Sequence, residues 1–184
     1  MIGPNFPAVL DLAQRRDERA LEVLYRDLAP VVLGYLRAQG AAEPEDVASE
    51  VFISLVRGLA SFEGDERAFR SWAFTIAHHR MVDERRRTGR RSEESMELPR
   101  LALVAGGSGT VEEEVLDRLG GTQALAILDS LTEDQRAVVL LRILMDLSVA
   151  EVASILDKRE GAVKTLQRRA LARLATSVSP EPVS

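Results

Sequence analysis

The chain contains no cysteine in its 184 residues, which excludes disulfide bonds, thiolate metal ligands and thiol nucleophiles together. Histidine is almost as scarce: the two present, His78 and His79, are adjacent. Neighbouring residues diverge by about 100° on a helix, and no acidic or cysteine partner is placed with this pair, so no metal site is expected. No run approaches the roughly 18 apolar residues of a membrane span, and the opening "MIGPNFPAVLDLAQRRD" has no basic lead, so a soluble, cytoplasmic protein is expected. A glycine-rich phosphate loop, a metal constellation and a nucleophile with its base are all missing. An enzyme is therefore not expected, and no cofactor is called for.

Aromatic residues make up only 4% of the chain, while 46% is hydrophobic and 29% charged. That is an ordinary globular balance. Leu, Ala, Val, Glu and Arg dominate, and unbranched side chains lose little rotamer freedom in a helix. The expected fold is all-α. The formal charge is -5, yet Lys158, Arg159, Lys164, Arg168, Arg169 and Arg173 face only Glu160 across one terminal stretch. A solvated helix face normally interleaves its signs, because like charges at i,i+4 repel. An external anion is the simplest partner for such a face. A second cluster lies far away, where residues 80 to 91 hold six arginines against Asp83 and Glu84.

Apolar periodicity divides the chain. Leu21, Leu24, Tyr25, Leu28, Val32 and Tyr35 recur at three and four, predicting an amphipathic helix with a kink at Pro30 and an end at Gly40. "EPEDVASEVFISLVRGL" sets Pro44 in a first helical turn among acids suited to the positive end of the helix dipole. Its inward line is Val47, Val51, Leu55 and Leu59, widened by Phe52 and Val56. After the loop "SFEGDER", Phe69, Trp72, Ala73 and Ile76 predict the buried face of a third long helix. Between Thr88 and Leu119 Gly, Ser and Pro mix with clustered acids and the period is lost, as in a linker. Four short helices are predicted from about Thr122 to Ala175. Thr132 with Gln135, and Ser148 with Glu151, have the spacing of capping boxes. Two small helical domains, 1–91 and 120–176, are therefore expected, joined by a flexible acidic linker, 92–119, and followed by a tail, 177–184.

Within the second domain, a two-turn helix from Ser148 to Leu156, the turn "DKRE" and a longer helix from Gly161 to Leu174 have the lengths of a helix-turn-helix. In that motif the second helix enters the major groove and its cations meet phosphates. An amphipathic hairpin whose arginines merely solubilise it has the same spacing. Two basic clusters on tethered domains fit one duplex touched at two places, the tether raising the effective concentration of the second contact. Neutralising about four to six phosphates gives a slope of about -3.6 to -5.4 in log affinity against log salt.

The runs "AEPEDVASEVFISLVRGLASFEGDERAFRSWAFTIAHHRMVDERRR" and "LDSLTEDQRAVVLLRILMDLSVAEVASILDKREGAVKTLQRRALARL" together resemble the extracytoplasmic-function sigma factors of bacterial RNA polymerase. The resemblance implies a region 2 helical bundle, a region 4 helix-turn-helix and a non-enzymatic subunit that binds core polymerase and directs it to a promoter. It places Asp46, Ser49, Glu50 and Phe52 on the surface that docks on a coiled coil of the largest polymerase subunit, although Phe52 could equally be core. It places Phe62, Glu63, His79, Asp83, Arg86 and Arg87 at the minus ten element, with His79 standing where the family most often has Asn. Trp72 and Phe69 lie on the inward stripe and are expected to be core. Arg159, Lys164, Thr165, Arg168 and Arg169 fall on the part that reads the minus 35 element, and Asp157 stands where the family commonly has Gly in the turn. The acidic linker would lie in a polymerase channel, and an anti-sigma protein is implied as a further partner. A stand-alone helix-turn-helix regulator and a helical protein-interaction module remain the competing readings.

Overall fold

The computed structural model describes residues 1–94, 128–143 and 145–178. The chain begins with a 3-10 turn and a short helix α1, Phe6–Gln14. Helices α2, Glu18–Gln39, α3, Pro44–Gly58, and α4, Glu66–Glu94, follow. Three further helices come after the undescribed stretch: α5, Glu133–Ile143, α6, Val149–Ile155, and α7, Glu160–Val178. No strand occurs among the described residues. Most of the expected linker, and the helix expected first after Thr122, lie outside them.

Local chemistry explains most boundaries. Asp17 caps α2, its side chain accepting from the Ala20 amide at 2.9 Å, a bond that satisfies one of the orphan donors of the first turn. At the other end Gly40 turns left-handed at φ 77°, and the Gly40 and Ala41 amides donate to the Arg37 and Leu36 carbonyls at 2.9 and 3.0 Å. A side chain at that φ would be strained, so the glycine ends the helix. Pro30 sits inside α2 without breaking it. Helix α4 outruns the linker boundary expected at residue 92 and continues to Glu94. Its final turns consist mostly of arginine, glutamate and serine, good to fair helix formers that sustain a helix without an apolar stripe.

The first domain packs α2, α3 and α4 on one another, burying Leu28, Val32, Tyr35, Val51, Phe74, Ala77 and Met81. Tyr25 departs from the expected stripe and is 54% exposed. Leu24 occupies the inward position, and its neighbour, about 100° further round the helix, is left at the edge. In the second domain α5 and α6 pack against α7 around Val138, Leu141, Leu147, Val152, Ile155 and Val163. The two domains also touch, with α2 against α5 and α4 against α6.

Candidate functional site

The helix-turn-helix is built by its caps. The Ser148 side chain accepts from the Glu151 amide at 3.2 Å, and the Glu151 carboxylate accepts from the Ser148 amide at 2.6 Å. Thr132 and Gln135 make the same reciprocal pair at 3.2 and 3.4 Å. Between α6 and α7 the chain turns through Asp157 at φ 51°, a conformation that aspartate tolerates better than most residues. Val152, Ile155 and Val163 face the core, and Leu166 packs against it.

This packing sorts the terminal cations. Lys158 pairs with Asp134 at 2.9 Å, and Arg173 donates to the Ser130 carbonyl at 3.1 Å, so both help to hold the domain together. Arg159, Arg168 and Arg169 are exposed and pair with no described residue. Exposed Lys164 meets only Glu160 on its own helix, at 3.8 Å. Thr165 is half-buried and spends its hydroxyl on the Gly161 carbonyl at 2.9 Å. What remains is a positive face at the start of α7 and along it, on which Glu160 beside Lys164 is the carboxylate nearest to hand.

In the first domain, the loop before α4 is held from three sides. Gln14 of α1 donates its side-chain amide to the carbonyls of Leu59 and Phe62 at 3.0 and 2.8 Å. Glu66 accepts from the Ile2 and Gly3 amides at 2.7 and 2.8 Å. Asp65 caps α4 through the Ala68 amide at 2.8 Å. Phe62 stacks on Trp72 with centroids 5.2 Å apart and meets the edge of Phe69 at 5.4 Å. Phe69 is buried, as expected; Trp72 is only half-buried and carries Phe62. Glu63 is exposed at the tip. Helix α1, which the periodicity left unassigned, is thus a support for the loop.

Along α4, His79, Asp83, Arg86 and Arg87 are all exposed, forming a second polar row. His78 points the other way: its Nδ1 lies 3.0 Å from the buried Tyr35 hydroxyl. Burial is the main reason that its pKa falls to about 4, helped by the charges of His79, Arg85 and Lys158 and opposed by Asp134. On α3, Asp46 and Ser49 are exposed while Glu50 and Phe52 are half-buried. Glu50 lies between Arg80 at 3.6 Å and Arg87 at 3.9 Å. One carboxylate therefore joins the α3 face to the basic row of α4. Phe52 meets Tyr25 at 4.7 Å beside an apolar cleft of about 340 Å³, also lined by Leu21, Val56, Glu18 and Glu22. Its ring is neither fully core nor free.

These two units correspond to two family models, sigma-70 region 2 over residues 24–91 and sigma-70 region 4 over residues 122–174. The chain belongs to the sigma-70 family. Its relatives place it in the extracytoplasmic-function branch. It is 30% identical to the ECF RNA polymerase sigma factor SigD of Mycobacterium tuberculosis over 185 residues, covering 97% of this chain and 86% of that protein. It is 32% identical to the ECF sigma factor BldN of Streptomyces coelicolor over 91% of its own length, spanning 63% of that longer protein. Among solved structures, CnrH in complex with the cytosolic domain of CnrY aligns with a TM-score of 0.62 at 23% identity, covering 93% of this chain and 95% of that one. The sigma factor RpoE of Bartonella quintana, in complex with the anti-sigma factor NepR, aligns at 0.63 and 19% identity, over 85% and 97%. At these identities the likeness extends to the fold.

Several residues of this sigma-family chain were beyond sequence reasoning. Arg67, Arg85 and Arg136 link the two domains, to Glu151, Glu133 and the Ala38 carbonyl respectively. Nothing in their local spacing marks them, since their partners are tens of residues away. No helix among the described residues is long and apolar enough to cross a membrane, and no group of three or more metal-ligating side chains forms among them.

Proposed function

We propose that this chain is a cytoplasmic, non-enzymatic initiation subunit that binds core RNA polymerase and directs it to a specific promoter. The observation that carries the reading is the face formed by α7 and the turn before it, where Arg159 in the turn and Arg168 and Arg169 on the helix stand exposed without an ion pair to any described residue. A helix that enters the major groove needs such cations for phosphates, and Lys164 and Thr165 lie where base edges come within reach. The row His79, Asp83, Arg86 and Arg87 on α4, with Phe62 and Glu63 of the loop, is assigned to the minus ten element. Unstacking a base there costs a few kcal/mol, which nearby cations and an aromatic wall offset. Asp46, Ser49, Glu50 and Phe52 on α3 are assigned to core polymerase, where carboxylates give orientation and encounter rate more than net affinity. The domains are read as 1–91 and 120–176 with 92–119 as linker. Control by an anti-sigma factor is proposed from the company that RpoE keeps with NepR.

Run-off transcription with core polymerase on a pool of genomic promoter fragments tests this directly. Start sites that depend on the added chain are expected. Absence of both such starts and a complex with core polymerase on size exclusion would overturn the reading.

A further inference from the structure

Helix α1 lies before residue 24, where the match to region 2 begins, yet it and the turn ahead of it are bonded to both flanks of the loop between α3 and α4. Buried Phe6, Leu10 and Ala13 fix α1 in the first domain, with the Phe6 ring centroid 5.6 Å from that of Phe69. Ahead of the helix, the Ile2 and Gly3 amides donate to Glu66 in the first turn of α4 at 2.7 and 2.8 Å. At its last residue, Gln14 Nε2 donates to the Leu59 carbonyl at 3.0 Å and to the Phe62 carbonyl at 2.8 Å. The fixed helix thus holds the loop on either side of its tip.

The Gln14 contact is chemically specific. A primary amide has two N–H donors on one nitrogen, and both are spent here on the carbonyls of Leu59 and Phe62. The Leu59 carbonyl also accepts from the Phe62 amide at 3.1 Å, closing the 3-10 turn Leu59–Ser61, after which Phe62 is extended at φ -74° and ψ 131°. A chain leaving a helical turn loses the local partner for its carbonyl, and Gln14 supplies one from another helix. Gly64 follows at φ 151°, where a Cβ would stand 2.9 Å from that of Ala68 and 3.1 Å from the Phe62 ring. The loop is closed around Phe62, which lies on Trp72 with the ring planes 16° apart. Glu63 stands exposed between these fixed points.

We infer that Gln14 is a positioning residue for capture of the unstacked base: its two bonds hold the loop in the one form in which Phe62 and Glu63 receive that base. The inference rests on the assignment of this loop to the minus ten element proposed above. A site that is formed only part of the time binds more weakly in proportion to that fraction. Unstacking a base is already costly, so a loop that had also to be ordered at that moment would hold the melted strand less well. Gln14 acts through the two carbonyls and not on the base.

Trp72 is the only tryptophan, so its access to acrylamide reports on the Phe62 stack in the full chain. Gln14→Met keeps the length and removes both donors; it should raise the quenching constant while leaving helicity by circular dichroism intact. Gln14→Lys restores N–H donors at similar reach and should bring the constant back. The second measurement uses the chain in complex with core polymerase on a promoter fragment recovered from the genomic pool. Gln14→Met should lower permanganate reactivity of the melted minus ten thymines by about tenfold, as for two lost neutral hydrogen bonds, and Gln14→Lys should recover most of it. Retention of the same fragment at low temperature, with the duplex still closed, should be unchanged, whereas a residue that merely stabilised the domain would lower both together. Unaltered quenching or unaltered melting in Gln14→Met, or a loss that Gln14→Lys does not recover, would overturn the inference while start sites, and so the proposed function, remain. An unaltered chain that yields no start sites overturns the function and the capture role together.

Discussion

Replacing His78 with glutamine should flatten the acid limb of the stability curve. The folded chain holds His78 against Tyr35, and burial lowers its pKa from the ordinary 6.5 to about 4. As pH falls, the unfolded chain therefore takes up a proton first. Stability is lost from about pH 6.5 downward and the loss is complete near pH 4. Between pH 7.5 and 4.5 the linkage amounts to about 2.5 kcal/mol. Carboxylates also contribute in acid, but they are shared by both proteins and cancel in the difference. Glu151, with its pKa at about 2 instead of 4.5, contributes stability that disappears mainly below that window. Urea unfolding followed by circular dichroism at pH 7.5, 6 and 4.5 provides the test. The gap between the variant and the unaltered chain should shift by about 2.5 kcal/mol in favour of His78→Gln as pH falls. Parallel lines across the three pH values would refute the argument that a neutral, desolvated imidazole is part of the folded state.

Three further outcomes are expected. Arg169→Ala should weaken minus 35 binding and make the slope of log affinity against log salt shallower by about 0.9, while core association, measured by size exclusion, stays intact. Gly58→Ala would bring a Cβ to 2.8 Å from the Trp72 ring; the overpacking of about 1 to 3 kcal/mol, partly offset by the better helix propensity of alanine, should lower the thermal midpoint and shift the emission of the single tryptophan. An unchanged midpoint and spectrum would show that the ring yields freely. Asp157→Gly should stabilise the second domain by a few tenths to about 1 kcal/mol, because φ 51° suits glycine without strain, and Asp157→Val should destabilise it; thermal melts of the two variants decide.

The periodicity of residues three and four apart, and the hydroxyl-to-acid spacing of the capping boxes, are properties of neighbours within one helical turn. Such signals survive in any context, which is why α2, α3, α6 and the turn at Asp157 were legible without coordinates. The grouping of cations on α7 was legible too. Its division was not: Lys158 and Arg173 were counted with Arg168 and Arg169 until Asp134 and the Ser130 carbonyl claimed them. The end of α4 was misplaced because a solvated helix of arginine and glutamate carries no apolar stripe to follow. Tyr25 was drawn inward by its spacing, and only the width of the packed interface left it outside.

By itself, then, the order of residues determined an all-helical chain in two parts, its caps, its turns and the sigma-family character of both halves, all of which depend on interactions that close within a few residues or on motifs that are read linearly. The tertiary structure decided what α1 is for, how Phe62 rests on Trp72, which arginines are left for an outside anion and where the two halves touch. Arg67 and Glu151 are 84 residues apart. A bond over that separation exists only after both domains have packed, since it depends on where each helix lies in space, and no local spacing encodes that.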